Sequence, residues 1–391
     1  MKPLLVSALL AALLLAQAAG CSGQSAQSQV TPSPTPTPEA SENQSAVSVV
    51  LSDQGVTVDG SAVEDGDGGP VEVDQPLRGA DANDADSKTA VVITQPGTYT
   101  LSGTLTNGQV AVDLGENAAD DPDAVVTLIL DGVDITCSSA PALVFQHVYE
   151  CADTQAEITS PQVDTSAAGA WVVLADGSEN TLTSTSASAE GALVSAVSLN
   201  LSGQEEGDGL LTVNGGSAGI FGAVHLTLDS GRLIVQAQKA GLMATEEALS
   251  VITVNGGKLF VNAGQDGSSN GVDSSGYVVV NGGEVVALSA GESLSAHSGV
   301  QIQSGSVLAM GSRVTQVDAG SEQPVLEWTF SAQQDSGTTL EVNSGSGETL
   351  LSYTTERPCT AFLFSSPQLS DPAFCTVTVD GVPAEASSDP S

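Results

Sequence analysis

The feature that most constrains this chain is a pair of glycine ladders kept in step. Turns recur as Leu201-Ser202-Gly203, Asp229-Ser230-Gly231, Asn255-Gly256-Gly257, Asn281-Gly282-Gly283 and Gln303-Ser304-Gly305, their last glycines 28, 26, 26 and 22 residues apart. A second ladder runs ahead of them: Gly191-Ala192-Leu193, Gly219-Ile220-Phe221, Gly241-Leu242-Met243 and Gly271-Val272-Asp273. From each of these glycines to the next turn glycine is 12, 12, 16 and 12 residues. Two ladders locked together over four coils predict a solenoid, in which each repeat packs on its neighbours.

The residues between the ladders decide which solenoid. Val224-His225-Leu226-Thr227-Leu228 and Tyr277-Val278-Val279-Val280 are short, β-rich runs that turn one face inward. Hardly any helical pattern exists beyond residue 46, and Gly is 42 of 391 residues. The expected fold is therefore all-β, a right-handed parallel β-helix over residues 47–321. Leucine-rich repeats have a similar length but need a Leu-rich consensus with a fixed interior Asn or Cys, which is absent. An antiparallel sandwich built on Asn-Gly hairpins is the competing fold, and it does not account for the equal spacing.

Earlier coils are less regular. Leu128–Ile135 and Trp171–Gly177 read as rungs, residues 150–169 as an inserted loop, and residues 46–106 as a β-rich start that needs a cap. After Gly305 the ladder stops. Residues 322–381 hold five strand-like runs, a small C-terminal antiparallel β unit, and residues 382–391 read as a disordered tail.

The N-terminus reads as an export signal. Lys2 precedes the apolar run Leu4–Leu15, which is too short to span a bilayer, and Ala18-Ala19-Gly20-Cys21 resembles a lipobox, with Ala18 where Leu is usual. Residues 1–20 are expected to be the signal, and Cys21 the lipidated residue that anchors the protein to the outer face of a bacterial membrane. Cleavage after Ala16-Gln17-Ala18 is the alternative and would leave a secreted protein. Residues 21–46 are Ser-, Thr- and Pro-rich, a tether with no core to bury.

Charge narrows the partners. The chain carries 8 basic and 47 acidic residues, net -39. Such a field repels nucleic acid and anionic lipid and suits divalent cations, so membrane contact is expected only through the lipid anchor. The mature protein is expected to be a monomer. Outside the cytoplasm the four remaining cysteines suggest disulfides. Three pairings are open; Cys137–Cys151 with Cys359–Cys375, which closes two short loops, is the expected one. Zinc is disfavoured because no C-x-x-C pair occurs.

Four segments occur in an informative order: Thr98–Leu105, Leu130–Thr136, Ala175–Thr183 and Asn270–Gly276. Together they resemble the carbohydrate-binding β-helix domain family of clostridial type, over about residues 46–381. The resemblance implies a parallel β-helix on the cell surface that binds cellulose-like and polygalacturonate-like polymers, with calcium on acidic turn residues. The chain departs from that pattern: the family's Asp-Gly is here Ala218-Gly219, Ala240-Gly241 and Asn270-Gly271, and the acid two residues after the glycine survives only as Asp273.

Asp266, Asn270 and Asp273 lie within eight residues in a Gly/Ser-rich turn and are the expected calcium ligands. A solvated acidic loop is the competing reading. Two further acidic groups, Asp113 with Glu116, Asp120, Asp121 and Asp123, and Asp65 with Asp67, read as solvated loops. A body this acidic admits a polyuronate only with a bridging cation, whereas a neutral glucan meets no such barrier. Aromatics are 3% of the chain, and Trp171 is expected to pack inward, with Trp328 and Tyr277 nearer the surface. No aromatic strip is evident. Arg232 and Lys258 occupy equivalent places after their turns and read as a surface stripe rather than a lyase base. His147, His225 and His297 share no motif. The expected function is thus non-catalytic polysaccharide binding assisted by calcium, with a calcium-dependent lyase and a structural stalk or adhesin as alternatives.

Overall fold

The computed structural model describes residues 46–64, 68–79, 90–152 and 160–387. The signal segment, Cys21, nearly all of the tether, Asp65, Asp67 and the last four residues lie outside the described residues. No helix among the described residues is long and apolar enough to cross a membrane.

The chain is all-β, and its strands stack in three parallel ladders, each coil adding one strand to each ladder. The first stack runs through Ala170–Leu174, Leu199–Gly203, Leu226–Leu228, Val251–Val254, Tyr277–Val280 and Gly299–Ile302. The second runs through Glu179–Ser184, Leu210–Gly215, Arg232–Ala237, Lys258–Asn262, Glu284–Leu288 and Ser306–Gly311. The third runs through Ala90–Ile93, Gln109–Asp113, Leu143–His147, Gly191–Ser195, Ala218–Gly222, Leu242–Ala244, Val272–Ser274 and Leu294–Ala296. In the early coils Gly97–Leu105 and Val126–Cys137 bend to serve the first and second stacks in turn.

The glycine ladders mark the corners. Gly231, Gly257, Gly283 and Gly305 each immediately precede a strand of the second stack. Gly257 has φ +72°, and a Cβ there would lie 2.5 Å from the Gly231 carbonyl oxygen, so a side chain is excluded twice over. Beside these glycines the turn residues form their own ladder. The Asn255 amide donates to Asp229 at 2.8 Å, and the Asn281 amide donates to Asn255 at 2.8 Å. One coil departs from the sequence pattern. Leu210 is the register partner of Arg232, so Gly209, not Gly203, stands in the corner equivalent to Gly231. The intervening residues form a loop that spacing alone assigns to the turn.

Alternate residues point between the stacks. Leu201, Leu228, Val254 and Val280 from the first stack meet Leu211, Leu233, Leu259 and Val285 from the second and Leu193, Ile220, Leu242 and Val272 from the third in one continuous core. Apolar burial at roughly 25 cal/mol per Å² is the main term holding such coils together. Trp171 is buried as expected, but not inward. It lies on the opposite face from Ala170, Val172 and Leu174, with its Nε1 donating to the Ala168 carbonyl at 2.7 Å. The inserted loop covers this outer face: Thr165 Oγ1 donates to Asn200 Oδ1 at 2.7 Å.

Antiparallel strands cap the first and third stacks at the start and the second stack at the far end. At the start, Val47–Leu51 pairs in parallel with Gly97–Leu105 and is covered by antiparallel Thr57–Val58, while Val71–Gln75 runs antiparallel to Ala90–Ile93. At the far end, Ser306–Gly311 pairs antiparallel with Cys359–Ser365, which in turn pairs with Val325–Gln334. Thr349–Thr354, Thr339–Asn343, Thr376–Val379 and Val382–Pro383 form a separate four-stranded antiparallel sheet. Arg357 ties this region to the coils, donating to Asn262 Oδ1 at 3.2 Å, to the Ala263 carbonyl, and to the Gly264 carbonyl at 3.3 Å.

Two expectations are corrected here. The tail is ordered through residue 387: Val382–Pro383 pairs with Thr376–Val379, Ala386 bridges to Phe330, and the Ser387 amide donates to Thr329 at 2.7 Å. Backbone pairing, invisible in a polar composition, fixes it. The expected disulfides are also absent, and Cys137, Cys151, Cys359 and Cys375 are all free thiols. Cys137 ends a buried strand opposite Ser184, and the third-stack strand Leu143–His147 separates it from Cys151. Cys359 begins a strand opposite Gln334, whereas Cys375 follows the short 3-10 turn Pro372–Phe374. Closeness in sequence does not bring Cβ atoms to the separation and direction a disulfide requires.

Candidate functional site

Strand alternation sends every second side chain of the third stack away from the core. Val194, Phe221, Met243, Asp273 and Ser295 are register partners in successive coils, so they form one outward row. Two adjoining clefts open along it. One, of about 310 Å³, is lined by Phe221, Met243 and Asp273 with Glu190, Lys239 and Asn270 at its margin. The other, of about 300 Å³, continues past Met243 and Asp273 to Ser275, Ser295 and His297. Because Met243 and Asp273 line both, the two make a single groove crossing the strands.

The groove combines an apolar floor with polar walls. Phe221 and Met243 are half-buried and supply a ring and a thioether. The lining holds Lys239, one of only 8 basic residues in the chain, together with the carboxylates of Glu190 and Asp273. Few polar groups converging over apolar surface is the usual make-up of a small-ligand site.

Of the three residues expected to share a calcium ion, Asn270 and Asp273 line one cleft and Asp266 is engaged elsewhere. Asp266 is committed to its own turn, accepting from the amides of Ser268 and Ser269 at 3.0 Å and from Ser269 Oγ at 2.6 Å. The Ser269 hydroxyl bond, with the two amides, holds its carboxyl below the usual range. Asn270 and Asp273 do line the same cleft. Asn270 Oδ1 also accepts from the Glu292 backbone amide at 3.0 Å. Burial pushes the Glu292 carboxyl up, and the charge of Asp273 pushes it further, while Arg313 and a backbone bond from Gln316 oppose the rise. Among the described residues no group of three or more His, Cys, Asp or Glu side chains converges as metal ligands.

Other titratable residues find partners that spacing does not suggest. Asp113, read in the sequence as part of a solvated acidic loop, accepts from His147 Nδ1 at 2.7 Å and pairs with Arg78 at 3.4 Å. Although burial opposes it, the His147 bond and the Arg78 charge hold the Asp113 carboxyl below its ordinary range. Asp113 and His147 are 34 residues apart and become neighbours because their strands are register partners. His225 is buried, and its Nδ1 accepts from the Val251 amide at 3.1 Å; burial lowers its pKa to about 4. Arg232 and Lys258 are indeed register partners, and Lys258 pairs with Glu284 at 3.0 Å. Phe221, Met243, Glu190 and Lys239 carry no motif; the only signal was their place one or two residues from a ladder glycine.

Residues 87–352 match the model of a family described as carbohydrate-binding domain-containing protein. Among curated proteins none matches the chain. Among solved structures, a polysaccharide lyase-like protein from C. thermocellum, determined as a gadolinium derivative, is similar at 20% identity with a TM-score of 0.42. The likeness covers 69% of this chain and 84% of that one.

Proposed function

The chain belongs to the carbohydrate-binding domain-containing family, and from that premise we propose that it is a non-catalytic polysaccharide-binding protein whose sugar site is the Phe221–Met243–Asp273 groove. The groove itself carries the reading. A sugar ring presents C–H faces and a belt of hydroxyls. Phe221 and Met243 offer surface for the first, and Glu190, Lys239, Asn270 and Asp273 offer charged or amide partners for the second.

The three parallel stacks support the right-handed parallel β-helix as the fold that carries this groove. Export through residues 1–20 and lipidation at Cys21 would place it on the outer face of the cell, where polymeric glycans are met.

The proposal extends to calcium. Asn270 and Asp273 offer oxygens in the groove, and the nearby Glu292 is a carboxyl whose charge is opposed by burial and by Asp273. A hard cation relieves that opposition, and its remaining coordination positions accept sugar oxygens. Asp266 is left out of this set because both its carboxylate oxygens are turned to the amides and hydroxyl of its own turn, and it does not line the groove.

The test is retention of the purified chain on polygalacturonate and on cellulose, with calcium and with chelator, for the wild type, Phe221→Ala and Asp273→Ala. Retention that Phe221→Ala removes, with unchanged circular dichroism, supports the groove. No retention on either polymer under any condition overturns the reading and leaves a surface stalk. One observation favours a second reading, a lyase: Lys239 lines the same cleft as Asp273. Unsaturated product absorbance that Lys239→Ala abolishes would replace the binding module with that enzyme.

A further inference from the structure

The second stack also turns side chains outward, in three rows set by register. The row beside the corner glycines, Glu179, Leu210, Arg232, Lys258 and Glu284, is charged, and the other two are not beyond one residue. One of these two is Thr136, Thr183, Asn214, Gln236 and Asn262. The other is Asp134, Thr181, Thr212, Ile234 and Phe260. Of these ten side chains only Asp134 is charged, in a chain with 47 acidic residues.

We propose that this stripe is a second glycan-binding face, built for a neutral polyhydroxylated chain lying along the stacking axis. The inference rests on the polysaccharide-binding reading and adds to it a second surface, to which it assigns the neutral polymer. The argument is one of charge and spacing. A neutral glycan has no charge to pair, and a charged side chain must shed water to meet it, so hydroxyls and amides suit it as a lining. Thr136 to Asn262 spans four strand steps, roughly 19 Å at ~4.8 Å per step, a flat run several sugar units long.

Hydrogen-bonding capacity remains open along the run. Asn214 Nδ2 donates to Thr183 Oγ1 at 3.2 Å, which leaves its second hydrogen and its oxygen. The Gln236 side chain is exposed and makes no hydrogen bond among the described residues. Ile234 and Phe260, both half-buried, provide apolar surface beside the amides. The stripe has a defined end. Val286 and Leu308, the next residues of the Phe260 row, are buried under the C-terminal strands, and Arg357 is bonded to Asn262. The other edge adjoins the turn that carries Lys239 and Asn270, so stripe and groove meet along one corner of the coils and a polymer can engage both, with the gain in avidity that linked sites give.

The experiment compares wild type, Gln236→Glu, Ile234→Asp and Phe221→Ala, each as the full chain with circular dichroism as a fold control. Retention is measured on amorphous cellulose, a neutral polymer, and on polygalacturonate with calcium, an anionic one. Gln236→Glu changes charge with almost no change of shape. The expected result is a drop of roughly tenfold or more in cellulose affinity for both stripe variants, with polygalacturonate retention unchanged. Wild-type cellulose retention in both stripe variants overturns the stripe and leaves the groove standing, as does a wild type that holds polygalacturonate but not cellulose. Failure of the wild type on both polymers overturns the polysaccharide reading itself.

Discussion

Acid should destabilise the coil that holds His225, by an amount that can be worked out. The imidazole is 3% exposed, and its Nδ1 accepts from the Val251 amide, which requires the neutral ring. Burial lowers its pKa to about 4 from 6.5. Unfolded chain therefore takes up a proton below pH 6.5 that the folded chain refuses until about pH 4, and stability falls as pH falls through that window. The loss comes to about 2 kcal/mol by pH 5 and about 3 kcal/mol by pH 4. Against a typical folding free energy of roughly 5–15 kcal/mol this is large. Urea midpoints measured from pH 7 to pH 4.5 should drop steeply in the wild type and much less in His225→Gln, which keeps an acceptor but cannot charge. The depressed carboxyls of Asp113, Asp164 and Asp266 lose stability in the same direction but lower, below about pH 4, so the two contributions separate. Equal slopes for wild type and variant, or an imidazole that titrates near 6.5 by NMR, would refute the reasoning.

Gly257→Ala should lower the melting temperature by the equivalent of roughly 2–4 kcal/mol, from left-handed backbone strain plus the clash with the Gly231 carbonyl; an unchanged melting curve would count against the corner geometry. The cysteines should react slowly with iodoacetamide at pH 7 in the native protein, because burial pushes the Cys151 and Cys359 thiols up to about 11 and also raises Cys375. Unfolding without reductant should then expose all four described thiols; modification only after reduction would restore the disulfides. Calcium titration calorimetry should show binding lost in Asp273→Ala and kept in Asp266→Ala, and the reverse result would put the ion in the Asp266 turn.

How far the fold could be read in advance depended on what repeats. The corner glycines repeat because each sits where a neighbouring coil's backbone approaches, so their spacing revealed the coils and their approximate number. The extra loop before Leu210 was hidden because Gly203 imitates a corner, and only strand register distinguishes it from Gly209. The cysteine pairing failed for a related reason: distance along the chain is a poor guide when each coil carries residues around three stacks. The candidate site was legible in part. Asp273 and Asn270 do share the groove, yet Asp266 beside them turns to its own serines. Phe221 and Met243 could not be singled out, since an apolar residue in a strand reads as core until the register shows which face it occupies. Asp113 and His147 needed the same register.

The antiparallel strands at both ends have a consequence for how this molecule can be altered. They make the ladder a ruler with fixed stops, in which the number of graduations between the stops is free. A whole coil, such as Lys258 to Gly283, could be duplicated, because the new strands would meet partners of the same register above and below. Half a coil could not, because it would bring a strand of one stack against the corner of another. Length is thus adjustable in steps of ~4.8 Å, and each added step would lengthen the surface along which a polymer is held.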